Sequence, residues 1–260
     1  MNSKQILAVV ALIGVAMASQ SALAGTINVT YASSADFGSG PVRYDYGSVA
    51  PNPNDYTGST LVGVGIGGDS FKSTDLTYDF SKTGQFNTWC VDIYHWLSGG
   101  SVIYTVATGS ELADVLHTLR PGTLAGTTRV NQLVQLADEV YSTVDTKDES
   151  AAFQLAVWAI AYGTADGSGH YQINMTDPGF SVDGGTARSA YGVLANTWLH
   201  DLGRVRNTGN YNLTYLNDGT HENTQDMVVF TDPPTVPEPA TLALLGLGLA
   251  GLGFSRRKKA

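Results

Sequence analysis

Few residues in this 260-residue chain have types and spacing that could do chemistry. There is one thiol, Cys90, and five histidines, His95, His117, His170, His200 and His221. Cys90 sits in Phe86-Asn-Thr-Trp-Cys-Val-Asp-Ile-Tyr94. Read as a strand, this run alternates faces. Trp89, Val91 and Ile93 then point one way, and Cys90 and Asp92 the other, so Cys90 is expected off the more apolar face. A free cysteine most often packs as a small hydrophobe, but its thiolate is also the strongest nucleophile available. Both readings stay open. Asp92 is either an ordering residue near Cys90 or a solvent-facing polar residue. A Cys90–His95 pair would suggest a cysteine hydrolase, yet five residues apart on one strand they should face opposite ways. The other four histidines are scattered and expected at the surface.

The second candidate is Gln154, the one polar side chain between Ala151 and Ala161. A carboxamide in a buried helix must find hydrogen-bond partners or cost free energy. A core glutamine bonded to backbone meets that need, and so does a reactive group held in place. Trp158 lies one turn further along the same helical face. A single cysteine excludes an intramolecular disulfide and Cys-based zinc or iron–sulfur sites. Asp177, Asp183 and Asp218 sit in Gly-containing loops without a complete calcium-loop spacing. No metal or cofactor is expected. The 13 tyrosines and four tryptophans could bind sugars, although aromatic residues more often fill cores.

The elements that must position Cys90 and Gln154 follow from hydrophobic period. Thr26–Tyr31, Leu61–Ile66, Leu76–Phe80, Phe86–Tyr94 and Ser101–Ala107 read as strands broken by glycines. Residues 36–60 read as loop. The period then changes. Leu112, Val115, Leu116 and Leu119 follow helical spacing after Ser110, a candidate N-cap, with Pro121-Gly122 as the stop. Val130 to Tyr141 makes a second amphipathic helix. Ala151–Tyr162 is apolar on nearly every side, a buried helix ending at Gly163. A fourth runs from Ala187 past Trp198, capped by Thr186 and stopped near Gly203. Tyr211–Leu216 and Asp226–Thr231 return to strand. The class is therefore α+β: a β-sandwich or barrel with a helical subdomain inserted at about 110–202.

Both ends read as addresses. Lys4, the apolar run Ile6–Ala18 and the small-x-small site Ala22-Leu23-Ala24 form a signal peptide over 1–24. At the other end a linker from 233 leads to Pro237-Glu238-Pro239. An apolar stretch, 241–254, and the basic cluster Arg256–Lys259 follow. The stretch is short for a span, which takes about 20 residues, and its glycines weaken a free helix. By physics it is a marginal transmembrane anchor with its basic end cytoplasmic. Five of the 14 basic residues and one of the 23 acids lie in these ends. The stretch 25–236 keeps 9 basic and 22 acidic residues, a net charge of −13 against −9 for the whole chain. That balance excludes nucleic acid, whose binders need a basic face.

The C-terminal order of Pro-Glu-Pro, short apolar helix and basic cluster resembles the PEP-CTERM sorting signal. The resemblance implies a Gram-negative envelope protein, recognised at Pro237, Glu238 and Pro239 by an exosortase. It implies a place at the cell surface or in an exopolysaccharide matrix. Residues 85–231 resemble the Cys-Gln (TQXA) thioester domains of bacterial surface proteins. One half of that pattern is Trp89-Cys90-Val91-Asp92; the other is Phe153-Gln154-Leu155-Ala156-Val157-Trp158, with Phe153 in place of the family's Thr. This resemblance implies an internal thioester between Cys90 and Gln154, with Asp92 and Trp158 as supporting residues. It implies covalent attachment to an amine- or hydroxyl-bearing partner, as an adhesin does, and not an enzyme. The alternative is a non-covalent matrix or carbohydrate-binding protein with the same sorting signal.

Overall fold

The computed structural model describes residues 25–34, 38–44 and most of 61–233. The signal-peptide, linker and sorting-segment readings therefore lie outside the described residues, as do most of Leu76–Phe80, Thr186 and Asp183.

Six strands close a barrel in the order β1-β4-β5-β9-β8-β6. They are β1 (Gly25–Ser34), β4 (Asp69–Lys72), β5 (Gln85–Cys90), β6 (Ser101–Ala107), β8 (Asn212–Asn217) and β9 (Met227–Thr231). A three-stranded sheet, β3-β2-β7, lies beside it, made of β2 (Gly38–Tyr44), β3 (Leu61–Ile66) and β7 (Phe180–Val182). Four helices enter between β6 and β8: α1 (Gly109–Leu119), α2 (Gly126–Val140), α3 (Lys147–Tyr162) and α4 (Val193–Asp201), the last preceded by a π-helical turn, Ala187–Gly192. The expected α+β barrel with inserted helices is what forms, and the barrel displaces the sandwich alternative.

Register assigns the two faces of the barrel wall. Phe71 pairs with Phe86 and Asp69 with Thr88; Ile27 pairs with Tyr104 and Cys90 with Met227. Paired residues share a face, so these side chains fill the lumen, where Phe71, Phe86 and Tyr104 rings meet. Cys90 thus points into the apolar interior, contrary to expectation. The opposite face was read as the apolar one because it carries Trp89. That face is buried too, but under helices: Trp89 meets Phe153 at 4.6 Å, and Tyr141 and Phe153 meet Phe230 of β9.

Several boundaries differ from expectation for identifiable reasons. The stretch read as loop contains β2, because Gly and Pro in Gly38-Ser-Gly-Pro-Val-Arg-Tyr44 suppress the alternation signal. Residues 69–72 and 180–182 form strands too short to show a period. β5 stops at Cys90 rather than Tyr94. Helix α1 starts before Ser110; Glu111 reaches back to the Thr108 backbone N–H. Helix α3 starts at Lys147, where Thr146 and Glu149 form a capping box.

Candidate functional site

The site begins where β4 runs out. The β4–β5 ladder ends at Asp69–Thr88, while β5 continues to Cys90 against β9. Val91 donates its N–H to the Asp226 carbonyl on the β9 side. By alternation, the Cys90 N–H and C=O point to the other edge, where no strand remains. Helix α3 fills the gap. The Gln154 carboxamide takes both groups: Cys90 N–H donates to Oε1 at 3.0 Å, and Nε2 donates to the Cys90 carbonyl at 2.8 Å. The side chain does what a neighbouring strand residue would do.

Gln154 belongs to a row. Ser150, Gln154, Trp158 and Tyr162 recur every four residues and share one helix face. The Ser150 hydroxyl accepts the Gly68 N–H at 3.0 Å. The Tyr162 hydroxyl donates to the Val91 carbonyl at 2.5 Å and accepts the Ile93 N–H at 3.3 Å. Gly68 is required at the top of this seam: a Cβ there would stand 2.9 Å from the Trp89 ring. The far end of α3 is fixed by Arg129 of α2, fully buried, whose guanidinium donates to the Ile160, Ala161 and Gly163 carbonyls. This cap satisfies helix-end carbonyls that have no partner within the helix. No sequence signal marks Arg129, because helical period alone places it beside apolar Val130 with no carboxylate spacing to explain it.

The reactive candidates are deeply enclosed, with Cys90 at 4% and Gln154 at 1% relative exposure. The Cys90 thiol donates to the Asp92 carbonyl at 3.0 Å. Burial pushes the thiol pKa well above its usual range, and the Asp92 charge adds to that. Trp158 acts in the opposite direction on the sulfur, although its indole N–H makes no hydrogen bond of normal geometry. Trp158 therefore stands beside the thiol.

Asp92 is buried, not solvent-facing. Its carboxylate meets His95 Nδ1 at 2.5 Å. The opposite-faces argument for Cys90 and His95 does not hold, because β5 ends at Cys90 and His95 lies beyond it. His95 is held by Asp92. His117 is exposed, as expected. His170 and His200, read as scattered, stack with ring centroids 6.2 Å apart. They line a polar surface cavity of about 590 Å³ with Asp166, Asn174, Asp177 and Asn196. Asp177 there accepts the Thr164 and Gly179 N–H groups. A smaller cavity of about 280 Å³ lies between Gly68, Trp89, Tyr141 and Ser150. Among the described residues no group of three His, Cys, Asp or Glu side chains is placed to hold a metal ion.

Sequence reasoning missed Asp69. It is buried at 4% exposure in the lumen, and its Oδ1 has no hydrogen-bond partner among the described residues. Burial pushes its pKa up to about 7. Its only sequence signal was an acid between Gly67-Gly68 and Phe71, which reads as a turn.

Residues 235–258 match the PEP-CTERM protein-sorting motif. This span contains Pro237, Glu238 and Pro239, and the motif implies export and sorting by an exosortase at the envelope or surface of a Gram-negative bacterium. No curated protein matches the chain, and no solved structure does. Among the described residues no helix is long and apolar enough to cross a membrane; the anchor read at 241–254 lies outside them.

Proposed function

We propose that this exported, exosortase-sorted protein forms an internal thioester between Cys90 Sγ and the Gln154 side-chain carbonyl and uses it once, for covalent attachment at the surface or in the matrix. The observation that carries the reading is the docking of the Gln154 carboxamide on Cys90. Its carbonyl oxygen rests on the Cys90 N–H, 3.0 Å away. A carboxamide is a poor electrophile, so proximity and oxyanion stabilisation must lower the barrier. A backbone N–H already bonded to Oε1 is a donor placed where charge develops.

Sulfur attacks the carboxamide carbon, the C–N bond breaks, and ammonia leaves with the thiol proton. The product is an acyl donor. An amine or hydroxyl later attacks that carbon, Cys90 leaves as thiolate, and the partner stays bound through residue 154. Each molecule reacts once, so the process is capture and not enzymatic turnover. The small cavity beside Trp89 and Ser150 lies one turn of α3 from Gln154 and supports an approach path for a small nucleophile. With one cysteine in the chain, no second internal thiol competes by exchange.

Methylamine treatment tests this. The expected result is one methylamine incorporated at residue 154 together with release of an alkylatable Cys90 thiol. Stoichiometric alkylation of Cys90 in untreated, denatured protein overturns it.

A second reading has its own support. The Gln154 amide is satisfied by Cys90 backbone on both sides, which suffices as a structural role. The polar cavity at His170 and His200 has the volume of a small-ligand site. On this reading the protein binds exopolysaccharide reversibly, and Gln154→Ala leaves that binding unchanged.

A further inference from the structure

Three acidic side chains near the seam are buried at 7% exposure or less: Asp69, Asp92 and Asp226. Two of them are committed. Asp92 is bonded to His95. Asp226 accepts from the Asp218 N–H and from the hydroxyl of Tyr215, whose register partner Val228 lies on the barrel face opposite Met227. Asp69 differs, because its Oδ1 is buried without a partner among the described residues. Native proteins seldom leave a buried carboxyl oxygen unsatisfied, and such exceptions call for an explanation.

The strand register supplies one. Asp69 pairs with Thr88, and Cys90 follows Thr88 by two residues on the same lumen face. Building on the thioester reading above, we propose that Asp69 is the proton carrier for thioester closure: its carboxylate takes the Cys90 thiol proton and returns it to the departing Gln154 nitrogen. The balance closes without an outside reagent. The S–H bond breaks and an O–H bond forms on Asp69 as sulfur adds to the Gln154 carboxamide carbon. The intermediate's oxyanion stays on the Cys90 N–H. The C–N bond then breaks, Asp69 protonates the nitrogen, and ammonia leaves with Asp69 again a carboxylate.

The surroundings suit this role. Other titratable groups near this end of the barrel are Cys90 of β5, Asp92 and His95 after it, Tyr104 of β6, and, on the outer face, Tyr215, bonded to Asp226. Lys72 of β4 lies at the other end of its strand and pairs with Gln85. Burial raises the Asp69 pKa. A carboxyl that titrates near neutrality can both accept and give a proton at working pH.

Closure can be measured from a defined start. Ammonia reopens the thioester to the Cys90 thiol and the Gln154 carboxamide. Transfer of the full chain to ammonia-free buffer starts closure, followed by intact mass across pH. Wild type is expected to close at a rate that rises with pH to a plateau, with one inflection near 7. Asp69→Asn, neutral like the protonated acid, is expected to fold with Cys90 shielded from alkylation. It should close at least about tenfold more slowly, with the inflection gone. An Asp69→Asn variant that closes at the wild-type rate with the same profile overturns the proposal. Should that variant not fold, the wild-type profile decides, and a rate without an inflection between about pH 5 and 9 overturns it. Wild type that never shows the ammonia deficit removes the thioester reading itself, and this inference with it.

Discussion

Replacing Gln154 with methionine keeps the volume roughly constant and removes both hydrogen bonds to Cys90. The Cys90 N–H and C=O then face a gap that no strand fills. Each orphaned buried backbone group costs about 1–3 kcal/mol, so the pair costs about 2–6 kcal/mol. In thioester-bearing protein Nε2 has left as ammonia, so the variant loses the Oε1 bond and the cross-link instead. The cross-link would join residues 64 apart in sequence and contributes about 4 kcal/mol on chain-entropy grounds. Cys90→Ala separates the two effects, because its backbone keeps both Gln154 bonds. It should cost about 1 kcal/mol for the lost thiol packing, rising to about 5 kcal/mol if the cross-link exists. Urea denaturation followed by tryptophan fluorescence reads both variants, since Trp89 and Trp158 flank the site. A Gln154→Met variant within about 1 kcal/mol of wild type would refute the claim that Gln154 substitutes for a missing strand.

Arg129→Leu strands three carbonyls at the end of α3 and, at about 1–3 kcal/mol for each buried group left unsatisfied, should cost at least about 3 kcal/mol, read by chemical denaturation. Gly126→Ala places a Cβ 1.8 Å from the Ala113 carbonyl oxygen, so α1 and α2 must separate; a loss of at least about 2 kcal/mol is expected, and an unchanged denaturation midpoint contradicts the close approach. Thr146→Ala removes the α3 capping box and should cost about 1 kcal/mol. Asp69 gives a pH dependence. Its pKa is raised from 3.8 to about 7 on folding, so between those values the folded state holds more protons than the unfolded one. Stability should therefore fall as pH rises from about 4 through about 7, by up to about 4 kcal/mol. Asp69→Asn should flatten that slope in denaturation series across pH.

The parts of this fold legible in the sequence were those with a long, clean period. Helix α3 announced itself through an unbroken apolar run, and Gln154 stood out as its one polar interruption. β6 was marked by alternation between two glycine breaks. Short strands such as Asp69–Lys72 carry too few residues to show a period, so the lumen position of Asp69 was hidden. The bond between Gln154 and the Cys90 backbone was hidden too, because it depends on where the β4–β5 ladder ends. Propensity does not encode that end point; the turn at Gly67-Gly68 and the seat of Trp89 against Gly68 set it. Arg129 shows the same limit from the other side, since a charge at a core position has meaning only once the end of α3 is placed beside it. The C-terminal motif needed no fold to be read, and the match at 235–258 confirms it.

Intact mass of the exported, processed protein tests the central claim most directly. The account predicts a mass one ammonia below that calculated from the sequence, with the deficit absent in Cys90→Ala and in Gln154→Met. Wild-type protein at full calculated mass, with Cys90 present as a free thiol, would contradict it.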